Sequence, residues 1–326
     1  MAFHRPIAAV LGSVLLPLSL IACGGSGGGG TITPTGAHNH YVANSILIPS
    51  NNTEAREYGL DLNGDGTVDN QLGMVLGTLA SMGFTIQATV DKAVSQGSII
   101  LLLDFQTTDF TNAGAAGIQA LLGTNPVPPA CNGSADTTCG HHLTGTGMFT
   151  VDPNSPTNAA LAGKVVNGEF DGGPGDLSLQ IALGGTNPIS LSLIGAKAKA
   201  SGITATAIGT STSGGLIFGG ALTQDDLNNK VLPAIQAQLV PIIARDCTML
   251  NMPNGNPPCG CADGSTGKTL IGLFDTNPKD CMVTVMEIQN NTLIQSLLAP
   301  DVTIDGQMAL SIGIKATAVG ATFTYP

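Results

Sequence analysis

Apolar residues recur along this chain with two different periods, and each period predicts an element. Leu72, Val75, Leu76 and Leu79 repeat at helical spacing, with Gly83 as the stop. A second helical pattern runs from Ile86 to Gln96, ends at Gly97 and feeds the apolar run Ile99 to Leu103. The longest begins at Thr223, whose hydroxyl is placed to cap the amides that follow, and carries Leu227, Val231, Ile235, Leu239 and Ile242. Pro233 and Pro241 are expected to kink or divide it, because proline lacks the amide that a helix interior uses. A fourth pattern runs from about Thr284 to Leu298 and stops before Pro300.

Alternation marks the strands. Met308, Leu310, Ile312 and Ile314 face one way while Ser311, Gly313 and Lys315 face the other; a turn is expected before a further strand over 317–325. Ile189, Leu191 and Leu193, then Ala196, Ala198 and Ala200 with Lys197 and Lys199 opposite, form a similar pattern with a slip at Ile194 that reads as a bulge. Glycine-rich turns separate such runs at short intervals, as in antiparallel sheets. The expectation is one α+β domain over 41–326, dominated by antiparallel sheet, with three or four helices covering one face or end.

The N-terminus decides which compartment this domain meets. A short start with one Arg and one His precedes the apolar run Ile7 to Leu18, too short to span a bilayer and suited to a secretory signal over 1–22. Leu20-Ile21-Ala22-Cys23 then resembles the lipobox of bacterial lipoproteins. That resemblance implies cleavage before Cys23, a diacylglyceryl group on its thiol and an acylated amino terminus. Residues 23–40, with the tract Gly24 to Gly30, become a flexible tether to the membrane. Gly24 rather than Asp after the cysteine implies, in a bacterium with two membranes, sorting to the outer one. The localisation expected is therefore the cell envelope.

Acidic residues outnumber basic ones 22 to 11, and no basic cluster breaks the negative surface, so nucleic acid is not an expected partner. Aromatics are 4% of the chain and Trp is absent, leaving Leu, Ile, Val and Ala to build the core.

With Cys23 assigned to lipid, six cysteines remain: Cys131, Cys139, Cys247, Cys259, Cys261 and Cys281. An even number in an exported chain reads as disulfides. Cys131 with Cys139 closes a short ring, and the other four pair among themselves. A zinc site at Cys259-Gly-Cys261 is the rival, at a tighter spacing than zinc sites use. Just after it, Ala262-Asp-Gly-Ser-Thr-Gly-Lys268-Thr269 fits a relaxed phosphate-binding loop. Its context, a Pro/Asn-rich stretch in a compartment without nucleotides, makes Lys268 a solvated turn residue and excludes nucleotide as a partner.

The stretch over 61–70, DLNGDGTVDN, concentrates oxygen donors in a chain poor in charge. Side-chain oxygens fall at positions one, three, five and nine as Asp61, Asn63, Asp65 and Asp69; Gly66 takes position six and the carbonyl of Thr67 position seven. Alternate oxygens around a sharp turn suit calcium, which takes six to eight of them. The loop 61–72 thus resembles the EF-hand and dockerin calcium loops, departing at position twelve, where Leu72 replaces the bidentate acid. Asp91, Asp104 or Glu54 are candidates for the missing ligand; the plain alternative is a capped turn without metal. Asp301-Val-Thr303-Ile-Asp305-Gly306 keeps part of the spacing but is read as a strand-to-strand turn.

Catalytic signals are thin. His38-Asn-His40 and His141-His142 are candidate metal ligands or bases, and Glu169, Asp171 and Asp176 are carboxylates near glycine-rich turns that leave a hydrolase as a lesser reading. No nucleophile elbow or metalloprotease helix occurs, so no catalytic residue is assigned. The sequence reads as an envelope-anchored lipoprotein with a structural calcium loop, a binding or structural module contacting an envelope protein or polysaccharide. The alternative is a carrier of a lipid or other apolar ligand, enclosed by the apolar strands and the long helix.

Overall fold

The computed structural model of the chain describes residues 32–81, 86–155, 160–181, 189–210, 213–249 and 259–326. The signal segment 1–22, Cys23 and the glycine tract lie outside these residues, as does Gly83.

Among the described residues, fourteen strands occur in chain order: β1 (Ala37–Leu47), β2 (Leu101–Thr107), β3 (Ala113–Val127), β4 (Gly147–Val151), β5 (Ala160–Val166), β6 (Glu169–Ile181), β7 (Ile189–Ser201), β8 (Ile203–Thr204), β9 (Ala207–Ile208), β10 (Gly215–Thr223), β11 (Cys247–Met249), β12 (Cys259–Cys261), β13 (Val302–Ile304) and β14 (Gln307–Thr324). Eight of them, β1, β2, β3, β5, β6, β7, β10 and β14, pair antiparallel in that order. The wall then closes, because β1 also pairs with β14: Tyr41 stands opposite Leu103 on one side and Gly320 on the other. The molecule is a closed eight-stranded antiparallel barrel with added strands.

This corrects the expected α+β layer of helices over an open sheet. Period-two alternation identifies a buried face, but that face looks the same from one strand whether the sheet stays open or rolls up. Inside, large and small side chains alternate around the ring: Tyr41, Phe105, Phe170 and Phe218 are fully buried beside Ala116, Ala196 and Ala198. Phe105 and Phe170 meet edge to face at 5.2 Å. The Ala-rich strands leave room for the few aromatic rings the composition provides.

Several local expectations also change. The barrel begins at Ala37, so residues 37–40 are strand rather than tether. β14 runs unbroken from Gln307 to Thr324 with no turn at its middle. The slip near Ile194 is real: the register of β7 shifts there, against β6 and β10 alike. The Asp301–Gly306 segment is the β13–β14 hairpin, with Asp305 at φ 49° and Gly306 at φ 81°.

The helices are α1 (Asn52–Glu57), α2 (Gln71–Ser81), α3 (Ile86–Ser95), α4 (Gln224–Asp226), α5 (Leu232–Asp246), α6 (Thr266–Phe274), α7 (Val285–Asn290) and α8 (Thr292–Leu297). Thr223 caps α4 as expected, accepting from the Asp226 amide. A π turn over Leu227–Val231 carries the chain on into α5, so Pro233 falls in the first turn of α5 and Pro241 inside it. The fourth pattern divides at Asn291, whose side chain caps α8. Helix α6 occupies the segment taken for a turn; Lys268 is in it, exposed, with its ammonium 2.6 Å from Asp263.

In an up-and-down barrel the end of β1, the start of β2, the end of β10 and the start of β14 lie at one rim. The insertions α1–α3 and α4–α8 both leave from that rim, and together they cap it. On the outside of the barrel, the ends of β3 and β14 flank β4 and enclose a small second core of Val42, Leu102, Leu121, Phe149, Val151 and Phe323.

Candidate functional site

Between the helical cap and the rim lies a cavity of about 220 Å³. Ile48, Leu191 and Ile312 form its barrel side; α2, α3, the π turn and α5 to α8 supply the rest. Thr78 and Gln238 are the polar residues on its wall, and all the others are Leu, Ile, Val or Phe. Such a wall offers few partners to water and favours a hydrocarbon occupant.

The sequence placed part of this wall. Leu72, Val75 and Leu76 of α2 and Val231, Ile235 and Leu239 of the long helix were read as one apolar stripe each, and all six line the cavity. Leu270, Leu273 and Phe274 were missed, because Gly264 and the surrounding polar residues masked a helical spacing that was there to be read.

Disulfides hold the cap. Cys247, closing α5, is bonded to Cys261, and Cys259 to Cys281 before α7. Cys131 pairs with Cys139 as expected. The sulfurs of Cys247, Cys259 and Cys261 lie within 4.8 Å of one another, yet each is in a disulfide, leaving no thiolate for zinc.

The loop 61–72 lies against the outer face of the barrel. Leu60 and Leu62 pack with Ala221, Ile304 and Ala309, and the Lys197 ammonium donates to the Asp61 carbonyl at 2.6 Å. Within the loop, Asp61 accepts from the amides of Gly64 and Gly66 at 2.6 and 2.9 Å, Asn63 from that of Asp65, and Asp65 from that of Thr67. Gly64 and Gly66 take φ of 81° and 85°, which makes the turn sharp enough to gather these groups. Asp69 is buried and accepts from the Leu62 amide; burial first, then the charges of Asp301 and Asp65, push its pKa up.

The acids suggested as a sixth ligand are elsewhere. Asp91 is bound to Gln87, Glu54 caps the start of α1 at Ser50, and Asp104 faces His38. From outside the loop, the carboxylate that acts on Asp69 is Asp301, which lies in the segment read as a strand-to-strand turn.

The next residue, Asn70, is buried and fully engaged. Its amide nitrogen donates to the carbonyls of Ala55 and Gly313, and its oxygen accepts from the amides of Gly73 and Gly313. It joins α1, the start of α2 and the barrel wall. The signal for it was its place before the first helical residue, where Asn favours a cap.

The other candidates scatter. Glu169, Asp171 and Asp176 are exposed along β6, with Lys199 3.7 Å from Asp171. His141 bonds Asp136 in the Cys131–Cys139 loop at 2.9 Å. His142 is wholly buried, edge-on to Phe149, with no partner for either ring nitrogen; burial, then the charge of His141, lowers its pKa. Among the described residues no helix is long and apolar enough to cross a membrane. No protein-family model, curated protein or solved structure matches this chain.

Proposed function

We propose that this protein is an envelope lipoprotein that binds the hydrocarbon part of a lipid, or a similar apolar molecule, in the cavity between its barrel and its helical cap. The observation that carries the reading is the chemistry of the wall, where two polar residues stand among Leu, Ile, Val and Phe. A buried apolar surface contributes roughly 25 cal/mol per Å² when a hydrocarbon displaces water from it.

A fluorescent fatty acid should titrate the full-length protein, purified in detergent, to one equivalent and be displaced by unlabelled fatty acid. Ile235→Trp and Leu297→Trp, which place bulk in the cavity from partly buried positions, should weaken binding at least tenfold with the circular dichroism spectrum unchanged. Absence of saturable binding contradicts the reading.

Envelope placement rests on the Leu20–Cys23 resemblance. Cys23→Ser should leave the precursor uncut and free of labelled fatty acid; a labelled variant contradicts the anchor.

We also propose that the loop 61–72 binds calcium and stiffens the fold. Its donors are carboxylate, amide and carbonyl oxygens, which fit that ion, and the sharp turn at Gly64 and Gly66 gathers them on one short segment. Asp61, Asn63, Asp65, Thr67 and Asp69 are the proposed ligands. The ion's contribution is charge neutralisation; the chain's own residues already hold the turn through backbone bonds.

A further inference from the structure

Neither the cavity nor the calcium-type loop uses His38-Asn39-His40. Residues i and i+2 of a strand point to one face, so both imidazoles stand on the same side of β1. Directly across the β1–β2 pair from His40 is Asp104. Its carboxylate reaches both rings: one oxygen is 2.8 Å from His38 Nδ1, and the other is 3.0 Å from that nitrogen and 4.0 Å from His40 Nε2.

The surroundings are built rather than open. The Asp104 side chain is only 7% exposed, although it lies on the outside of the barrel. His40 is stacked on Phe323 at 4.0 Å between ring centres, and Phe323 in turn meets Tyr325 edge-on. The end of β14 thus shields the carboxylate and fixes the plane of one imidazole. His38 is half exposed and borders solvent.

We propose that His38, His40 and Asp104 form a binding site for a zinc-class divalent cation, distinct from the calcium-type loop. Two imidazoles and a carboxylate are a nitrogen-rich donor set that favours zinc, copper or nickel over calcium, which takes oxygen. With bonds of about 2.1 Å, tetrahedral donors stand roughly 3.4 Å apart. The His38 and Asp104 atoms are already within that spacing. His40 is 4.0 Å from the carboxylate and the two imidazole nitrogens stand farther apart than tetrahedral donors, so both rings must turn to converge on one ion, and the exposed His38 ring has space to do so. Three protein donors leave a fourth position on the solvent side, the arrangement of a site that can take water or an external ligand.

The test is calorimetry on the full-length chain, purified in detergent without a histidine tag, titrated with zinc chloride and separately with calcium. One zinc per chain is expected in an Asp61→Ala background as in wild type, and saturating calcium should leave the zinc isotherm unchanged. Cobalt should give the visible absorption of a low-coordinate site. Asp104→Asn and His38→Gln should each weaken zinc binding at least tenfold, whereas His141→Gln should not. His38 is half exposed, so its variant should keep the wild-type melting temperature without metal and remains informative if Asp104→Asn folds poorly. No zinc heat in wild type, or wild-type affinity in His38→Gln, overturns the proposal.

Discussion

Asn70 and Gly313 exchange two hydrogen bonds: the side-chain amide of Asn70 donates to the Gly313 carbonyl at 3.1 Å and accepts from the Gly313 amide at 2.8 Å. A side chain here stands in for a neighbouring strand on the outer face of β14. Gly313 permits the approach because a β-carbon there would fall on the carbonyl oxygen of Tyr58. The pair fastens the α1–α2 insertion, and with it part of the cavity wall, to the barrel.

Asn70→Ala should therefore cost roughly 3 kcal/mol or more, since it leaves buried backbone groups of Gly313 and Ala55 without partners. Gly313→Ala should be of similar size through the clash. Urea unfolding measures both, and a loss under about 1 kcal/mol for either would show that the junction is slack.

Calcium at about ten times a Kd near 10⁻⁴ M should stabilise the protein by about 1.4 kcal/mol, a melting shift of a few degrees. Magnesium should do much less, because it holds its water and demands a tighter octahedron. Asp61→Ala and Asp65→Ala should abolish the shift. Asp305→Ala should keep it, because Asp305 sits in the turn of the β13–β14 hairpin. Equal melting temperatures of wild type in calcium and in chelator would leave the loop a capped turn.

The pH dependence follows from His142. Its pKa is lowered in the folded state, so the unfolded chain binds the proton more readily. Stability from this group is present above the ordinary histidine pKa of about 6.5 and is lost as pH falls below it. His40 acts in the same direction through burial, with Asp104 opposing. Asp69, whose pKa is raised, acts in the opposite sense. His142→Phe replaces an unpartnered ring by an apolar one, and should gain about 1 kcal/mol and flatten the fall in stability below about pH 6.5. An unchanged slope in that variant would shift the acid sensitivity to other groups.

Much of the secondary structure was legible because it depends on neighbours in sequence. The stripe Leu72, Val75, Leu76 and the alternation from Leu310 to Ile314 each identify a buried face from one segment. Closure of the barrel was not legible, because Tyr41 meeting Gly320 is a contact across nearly the whole chain. The same holds for the site. The helical stripes announced apolar faces, but the space between them exists only once both insertions leave the same rim. Pairing of Cys131 with Cys139 followed from a short ring, whereas the arrangement of Cys247, Cys259, Cys261 and Cys281 depended on how the cap folds. Asp301 was unreadable as a neighbour of Asp69, since it arrives from a hairpin more than two hundred positions away.

The two cap disulfides should matter more for the cavity than for the barrel. Cys259→Ser with Cys281→Ser should cost roughly 2–5 kcal/mol. Loss of fatty-acid binding should appear at lower urea than loss of the far-ultraviolet strand signal. Coincident transitions for both probes would show that cap and barrel open as one unit.

Whether a hydrocarbon occupies the cavity decides the function proposed for this protein. The most direct measurement is native mass spectrometry of the detergent-purified protein, followed by organic extraction and lipid analysis of the released material. Wild type should carry one non-covalently bound lipid or other apolar molecule per chain beyond any covalent lipid at Cys23, recovered in the extract and strongly reduced in Ile235→Trp. A wild-type protein that carries no such molecule, and takes up none when incubated with fatty acid or phospholipid, would contradict it.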